Sequence, residues 1–381
     1  MSYVVLKPGK EKSVINRHPW IFSGAIAHRP PHAPGEIFPV YSSFNKLLGH
    51  AYFHPENSIA GRMLNFDSKN PLDAVRDLID RALTLRTQLV PQSGRRLINA
   101  EGDGLPGLIV DQYCEVLVLQ VHTAGMELLK PSIVEHLIKR LQPKTIYEKS
   151  VSPARHQEGL SDCKKLLYGT EAHEVTIVEH GISYIVQPLE GQKTGFFLDQ
   201  REMRKIVSTL SKDKTVLNCF AYTGGFSLAA LKGGAAHVTS VEISSDACAL
   251  AARHIFDYVK HTIVQADVFD FLRTNPLPYN LVILDPPAFA KKRSDIDAAS
   301  RGYRDINHLA FQKMPPNSIL ITSSCSSYID ATLFQQIVFQ AAAQAGRFVR
   351  ILGRHSQALD HPISIYHPEG DYLKSLVLCL D

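Results

Sequence analysis

The sequence has 381 residues, with 41 Lys and Arg against 37 Asp and Glu, a formal charge of +4. That length allows two or three domains with apolar cores, and so mild a basic excess permits a nucleic-acid partner without pointing to one. The six cysteines (Cys114, Cys163, Cys219, Cys248, Cys325 and Cys379) form no CxxC pair and no Cys/His zinc spacing, which argues against a disulfide scaffold or a metal site.

The opening stretch MSYVVLKPGKEK lacks the uninterrupted apolar core of a secretion signal, and no run is long enough to span a bilayer. A cytoplasmic protein with no membrane contact is expected. Residues 1–70 carry short β-like runs (SYVVL, EIFPVYS, LLGHAYF) between turn residues, which predicts a small β-rich domain. Basic residues Lys7, Lys10, Lys12, Arg17 and His18 precede Trp20 and Phe22. Cations beside aromatics suit RNA, where phosphates take the charge and unstacked bases take the rings. Trp20 and Phe22 fit a core role equally well.

From Leu72, apolar residues Val75, Leu78, Ile79, Ala82 and Leu83 fall on one helical face. The turn-rich EGDGLPG leads into β-like LIVDQY and EVLVLQV, an amphipathic stretch at 133–141, and strand-like TIYEKS. VTIVEHGISYIVQP reads as a hairpin turning near His180 and Gly181. These features predict an α+β middle domain over 71–188, on which Lys149, Arg155, Lys164 and Lys165 are candidates for a phosphate-facing surface.

At GQKTGFFLDQR the character changes, and strands and helices then alternate, which predicts a doubly wound parallel sheet over 189–381. Its first strand and turn are VLNCFAYTGGFS, 216–227. Glycines between strand and helix let the backbone approach a ligand at the crevice of an open α/β sheet. The signal alone is weak, since the full G-x-G-x-x-G spacing is missing. It gains from Glu242, Asp267 and Asp285, which end three successive apolar runs and therefore gather at the ligand-binding edge.

Two loops follow apolar runs expected to be neighbouring strands. DPPAFAKKR places Asp285 at the sheet edge on a loop stiffened by Pro286 and Pro287, and ITSSCSS places Cys325 there among small hydroxyl residues. A polar, ligand-facing loop suits a thiol that must ionise before it attacks.

These motifs are similar to those of the RlmI-type class I S-adenosylmethionine-dependent methyltransferases, which methylate C5 of a cytosine in large-subunit ribosomal RNA. LKPGKEKSVINRHPWIFSGAI resembles that family's PUA RNA-binding domain and NAEGDGLPGLIVDQY its central domain. KTGFFLDQR, VLNCFAYTGGFS, VEIS, LVILDPPAFAKKR and TSSCS resemble its catalytic motifs, in the family's order.

The resemblance implies a Rossmann-like methyltransferase sheet preceded by a PUA-like domain and an α+β domain, with S-adenosylmethionine as cofactor. It implies Cys325 as nucleophile on cytosine C6 and Asp285 as the acid that holds the base edge. Phe220, Ala221, Tyr222, Thr223, Gly224 and Gly225 would pass the cofactor's methionine end. Glu242 would take the ribose and Asp267 the adenine amine, with Gln200, Arg201 and Asp285 bordering the cofactor cleft. Ribosomal RNA is the implied partner, and Lys7, Lys10, Arg17, Phe289, Lys291, Arg301 and Arg304 are candidates to touch it. A homodimer is left open.

The pattern departs from related enzymes at three points. Many RNA cytosine-5 methyltransferases carry a second cysteine where this chain has Pro287, an absence the RlmI-type pattern shares. Amino-group methyltransferases place an aromatic directly after the two prolines, whereas Ala288 precedes Phe289 here. KMPPNSIL lacks the paired glycines common before the cysteine strand. Three alternatives remain: a methyltransferase of the same fold acting on a purine nitrogen, a non-catalytic RNA-binding or ribosome-assembly factor, and a small-molecule methyltransferase.

Overall fold

A computed structural model describes residues 2–256 and 258–381. Short runs broken by Pro and Gly give a six-stranded sheet near the amino terminus. Its spatial order is Trp20–Phe22, Ile59–Asn65, Leu47–Phe53, Ile37–Tyr41, Val4–Leu6, Ile26–His28. Val4, Leu6, Ile21, Phe38, Val40, Ala51, Phe53 and Met63 form its core. Three of these strands have only three residues, and two of them, Trp20–Phe22 and Ile26–His28, are too short for alternation to mark them in the sequence.

Asn70 caps the helix Pro71–Leu89 by accepting from the Leu72 N–H, with Pro71 in the first turn. Val75, Ile79, Ala82 and Leu83 are buried, as their spacing predicts. A second sheet runs in chain order through Gly94–Asn99, Leu108–Tyr113, Val116–Val121, Thr145–Ser150 and Cys163–Gly169. The helix before its fourth strand spans Ala124–Leu141, nine residues longer at its start than the amphipathic stretch at 133–141. Gly125 and Pro131 obscured that start, since both are poor helix formers. Two short strands, Val175–Glu179 and Ile182–Val186, flank His180 and Gly181, both at positive φ.

The chain divides into two units: Met1–Glu179 with Val186–Leu198 and Leu359–Gly370, and His180–Ile185 with Asp199–Ala358 and Asp371–Asp381. Both amino-terminal sheets fall in one compact unit. Tyr52 of the first sheet explains this, because its hydroxyl donates to the Pro106 carbonyl at 2.7 Å and its ring lies against Gly125, where any Cβ would collide with it. Tyr52 and Leu64 share a core with Val75, Ile98, Leu119 and Ile133.

Lys149 and Arg155 do not form a phosphate-facing surface. Lys149 is buried and donates to the Pro188 and Gly191 carbonyls, and burial pulls its ammonium down to about 8. Arg155 is buried on the Val121 carbonyl and on Glu127. Their charges are used to satisfy backbone and carboxylate groups inside the unit; Lys164 and Lys165 stay exposed.

His122, on the loop after Val116–Val121, is held near pKa 4, chiefly by burial and further by the nearby Arg96 and Arg155, against an opposing pull from Glu101. The unfolded chain binds this proton below about 6.5, and the folded chain resists it until about 4. Stability is therefore expected to fall as pH drops through that window, by roughly 3 kcal/mol at most. Urea titrations of the wild type and His122→Asn at pH 7 and pH 4.5 check this: the variant should lose less stability on acidification.

The second unit carries a seven-stranded sheet. Its strands are β1 (Thr215–Cys219), β2 (His237–Glu242), β3 (His261–Gln265), β4 (Leu281–Leu284), β5 (Ile319–Ser324), β6 (Val349–His355) and β7 (Lys374–Leu380). Spatial order is β3-β2-β1-β4-β5-β7-β6, parallel except for β7, which runs antiparallel to both neighbours. The helices are α1 (Arg201–Leu210), α2 (Gly225–Lys232), α3 (Ser245–His254), α4 (Val268–Thr274), α5 (Ile296–Lys313) and α6 (Ala331–Gln344). All four residues of β4 are buried, which is why LVIL reads as an uninterrupted apolar run. The order reverses at β1 and β4, so the carboxyl ends there face a ligand crevice.

Candidate active site

The turn after β1 is strained in a specific way. Phe220 and Tyr222 take positive φ (57° and 47°), and Gly224 follows at 78° as the residue before α2. Non-glycine residues held in this region cluster at functional sites, where surrounding structure enforces them. Here the enforcement is visible. Glu242 at the end of β2 accepts from the Tyr222 N–H at 2.8 Å, and its other oxygen accepts from Ile243 and Ser244, both at 2.9 Å. His254 of α3 adds a second tie, its Nδ1–H donating to the Thr223 carbonyl at 2.7 Å while Nε2 accepts from the Ile185 N–H. Neither the clamp by Glu242 nor the role of His254 was expected from sequence.

Gly224 also has a packing role. A Cβ on it would lie 3.2 Å from the Ala251 and Ile255 side chains, so its bareness lets the turn pack against α3. Gly224→Ala is expected to cost roughly 1–3 kcal/mol, from the left-handed φ and this contact. Urea denaturation measures it, and a neutral result would remove the packing role.

Beneath the turn, Asn218 donates to Ser227 at 2.9 Å, Ser227 shares a hydrogen bond with Ser240, and Ser240 meets His261 at 2.7 Å. Burial holds His261 near pKa 4, helped by His237, so this buried polar line stays uncharged at neutral pH.

Asp267 follows β3 and is exposed; it caps α4 by accepting from Asp270 N–H at 3.1 Å. Asp285 follows β4, and the buried Gln200 side chain donates to its Oδ1 at 2.9 Å. Gln200 immediately precedes α1, so KTGFFLDQR and the Asp285 loop meet through this bond.

Cys325 follows β5, next to β4 in the sheet. Its Sγ–H donates to the Pro286 carbonyl at 3.8 Å, which sets thiol against acid loop. The two loops are tied again where the Ala290 N–H donates to Ser326 Oγ at 3.2 Å, an atom also 3.0 Å from the Tyr303 hydroxyl. Other thiols are in different surroundings. Burial pushes Cys219 far up; burial and Glu148 raise Cys163; burial and Glu242 raise Cys248.

A residue absent from the sequence reading completes this corner. Lys374 of β7 pairs in register with Ser324, is 6% exposed, and donates to the carbonyls of Ser326 at 2.7 Å and Tyr372 at 2.9 Å. Burial lowers the pKa of its ammonium, against opposing pulls from Asp371, Cys325 and Asp330. A cation beside a cysteine favours the thiolate. The available signal was a lysine at the head of an otherwise apolar strand, YLKSLVLCL.

The proposed RNA contacts separate. Phe289 is half-buried and packs among Phe220, Phe269 and Tyr303 against the core, with centroids 4.6–6.5 Å apart. Lys291 and Arg301 are exposed and Arg304 is half-buried, the two arginines lying on α5. In the other unit Lys7, Lys10 and Arg17 are exposed, Arg17 lying over the Phe66 ring, and Phe22 is half exposed. Trp20 instead donates to Glu101 at 2.9 Å and packs edge-on against His367. Among the described residues no helix is long and apolar enough to cross a membrane, and no three His, Cys, Asp or Glu are grouped to hold a metal ion.

A family model for PUA-like domains matches residues 4–66, and one for S-adenosylmethionine-dependent methyltransferases matches 154–352. The chain is 25% identical to SMU.776, a methyltransferase crystallised with SAH, over 99% of this chain and all of that one, with a TM-score of 0.86. A Streptococcus mutans methyltransferase at 24% identity has the same fold, with a TM-score of 0.84 over 99% and 100% of the two chains. Fold and site thus define a class I S-adenosylmethionine-dependent methyltransferase with an amino-terminal PUA-like domain. Curated relatives narrow the class. Ribosomal RNA large subunit methyltransferase I of Pseudoalteromonas translucida is 40% identical, covering 99% of this chain and 98% of its own, and that of Aliivibrio fischeri is 42% identical over 97% of each. The chain belongs to this ribosomal RNA large subunit methyltransferase I family.

The residues present suit that cofactor. A carboxylate offers about four acceptor positions, and Glu242 uses three on backbone N–H groups, which leaves one on Oε2 for a ribose hydroxyl. Ile243 beside it is 64% exposed and offers an apolar face for a purine.

Proposed function

We propose that the protein methylates C5 of a cytosine in large-subunit ribosomal RNA, with Cys325 as nucleophile and Asp285 as the acid that holds the base. The observation that carries this reading is the Cys325 thiol lying 3.8 Å from the Pro286 carbonyl, one residue from Asp285, at the edge shared with the strained turn. The substrate class follows the names of the relatives.

Cytosine C5 is a weak nucleophile. Cys325 thiolate adds to C6, forming S–C6 while the C5=C6 electron pair shifts to make C5 enamine-like; S-adenosylmethionine, when bound, supplies the sulfonium methyl that C5 takes. Loss of the C5 proton to a base then restores C5=C6 and expels the thiolate. Asp285, oriented by Gln200, accepts from the cytosine amino edge and fixes the ring against Cys325. Glu242, Asp267, Gln200 and the stretch 220–225 hold the cofactor in this reading. Lys374 stabilises the thiolate and fixes the carbonyl after it. The base must leave its stack to be reached, which favours an unpaired RNA segment. Lys7, Lys10 and Arg17, with Phe22, are the surface proposed to grip that RNA on the PUA-like side, and Lys291, Arg301 and Arg304 the one on the catalytic side.

Mass mapping of modified nucleosides in ribosomal RNA from cells with and without the gene tests the proposal. Loss of one 5-methylcytosine supports it; loss of an N-methylated purine instead overturns it.

A further inference from the structure

Beyond Cys325 the sheet continues to β7 and β6, and a cavity of about 570 Å³ opens at this end of it. Its walls are the first turns of α6, the end of β6 and the start of β7, with Gln335, Gln336, Arg354, His355, Asp371 and Lys374 among the lining side chains. Because β7 runs antiparallel to β5 and β6, its first residues lie at the same edge as the carboxyl ends of those strands. The edge therefore carries, in one line, the acids and turn proposed for the cofactor, then Asp285, then Cys325, then this cavity.

Strands lie about 4.8 Å apart, so the β7 and β6 walls stand about 5–10 Å beyond the cysteine strand, on the order of one nucleotide step. The lining has the chemistry of a nucleotide site. Arg354 is exposed and donates to Gln335 at 2.8 Å, a fork available to a phosphate; the two glutamines offer donors and acceptors to a base edge. Asp371 is an acceptor for a ribose 2′-hydroxyl, the group that marks RNA. Lys374 joins the two places, since it lines the cavity and holds the carbonyl of Ser326.

We infer that this cavity is a binding subsite for the nucleotide adjoining the target base, which anchors the strand while the target is turned out of its stack. The inference rests on the reading of Cys325 as the residue facing the target. Enzymes that extrude a base read its neighbours to set sequence context, and no other part of the proposed mechanism supplies that.

The test uses the full chain and a large-subunit ribosomal RNA fragment containing the methylated position. Arg354→Gln should raise KM for the fragment about tenfold, leave kcat and S-adenosylmethionine affinity within twofold, and flatten the dependence of log affinity on log salt by about 0.7, the value of one lost single-strand phosphate contact. Arg354→Lys should recover most of the KM and the slope, and Gln336→Leu should alter the preference among fragments differing beside the target. Unchanged KM and slope in Arg354→Gln, or a fall in kcat at constant KM, would overturn the subsite. Product identity is read separately on the wild type: a product other than 5-methylcytosine counts against the proposed reaction, while the KM and slope comparison still decides the cavity.

Discussion

Cys325→Ala is expected to abolish methyl transfer to ribosomal RNA, with turnover falling on the order of a thousandfold or more, while S-adenosylmethionine affinity stays within about twofold. The two effects separate because the thiol meets the Pro286 carbonyl on one side of the edge, whereas the turn after β1 is fixed by Glu242 and His254. The substitution removes a half-buried sulfur and one weak hydrogen bond, so the fold should lose about 1 kcal/mol or less. Transfer of a labelled methyl group and calorimetry with the cofactor give the two numbers. Near-normal turnover would eliminate the covalent route and return the purine-nitrogen reading to the front.

Asp285→Asn is the second large effect. The amide can still accept from Gln200 through its Oδ1, so the loop keeps its place and only the charge and one acceptor are lost. If the carboxylate holds the cytosine edge during attack, kcat should fall about 10²–10³-fold, the range found when one oriented group facing developing charge is removed. Single-turnover rates at saturating RNA and cofactor measure it. A variant within threefold of wild type would rule out the carboxylate as the group that holds the base.

The catalytic sheet was legible because its central parallel strands are buried on both faces, and LVIL or SIL then stand out as apolar runs that end in a chemical residue. Asp285 and Cys325, the proposed acid and nucleophile, stood out for the same reason. What pairing brings together was not. Lys374 reaches Ser326 only because β7 inserts beside β5, and no local pattern encodes a partner 48 positions away. The burial of Lys149 and Arg155 was equally hidden, since a basic residue in a strand or short helix carries no mark of facing inward. Tyr52 shows the same limit: no local pattern announces that its ring packs on Gly125, 73 positions away. Phe289 was a candidate to touch RNA, and the aromatic cluster around it was hidden because it comes from three other segments.

The place of β7 between β5 and β6 has a consequence for how the protein is made. During synthesis β6 emerges before the strand that joins it to the sheet, and β5 waits with one side unpaired. The cysteine corner therefore cannot be finished as the chain leaves the ribosome strand by strand. Until Lys374–Leu380 slot in, the nascent chain has the turn after β1 and the Asp285 loop but not the strand that fixes the proposed nucleophile, so competence for the reaction should arrive late and in a single step.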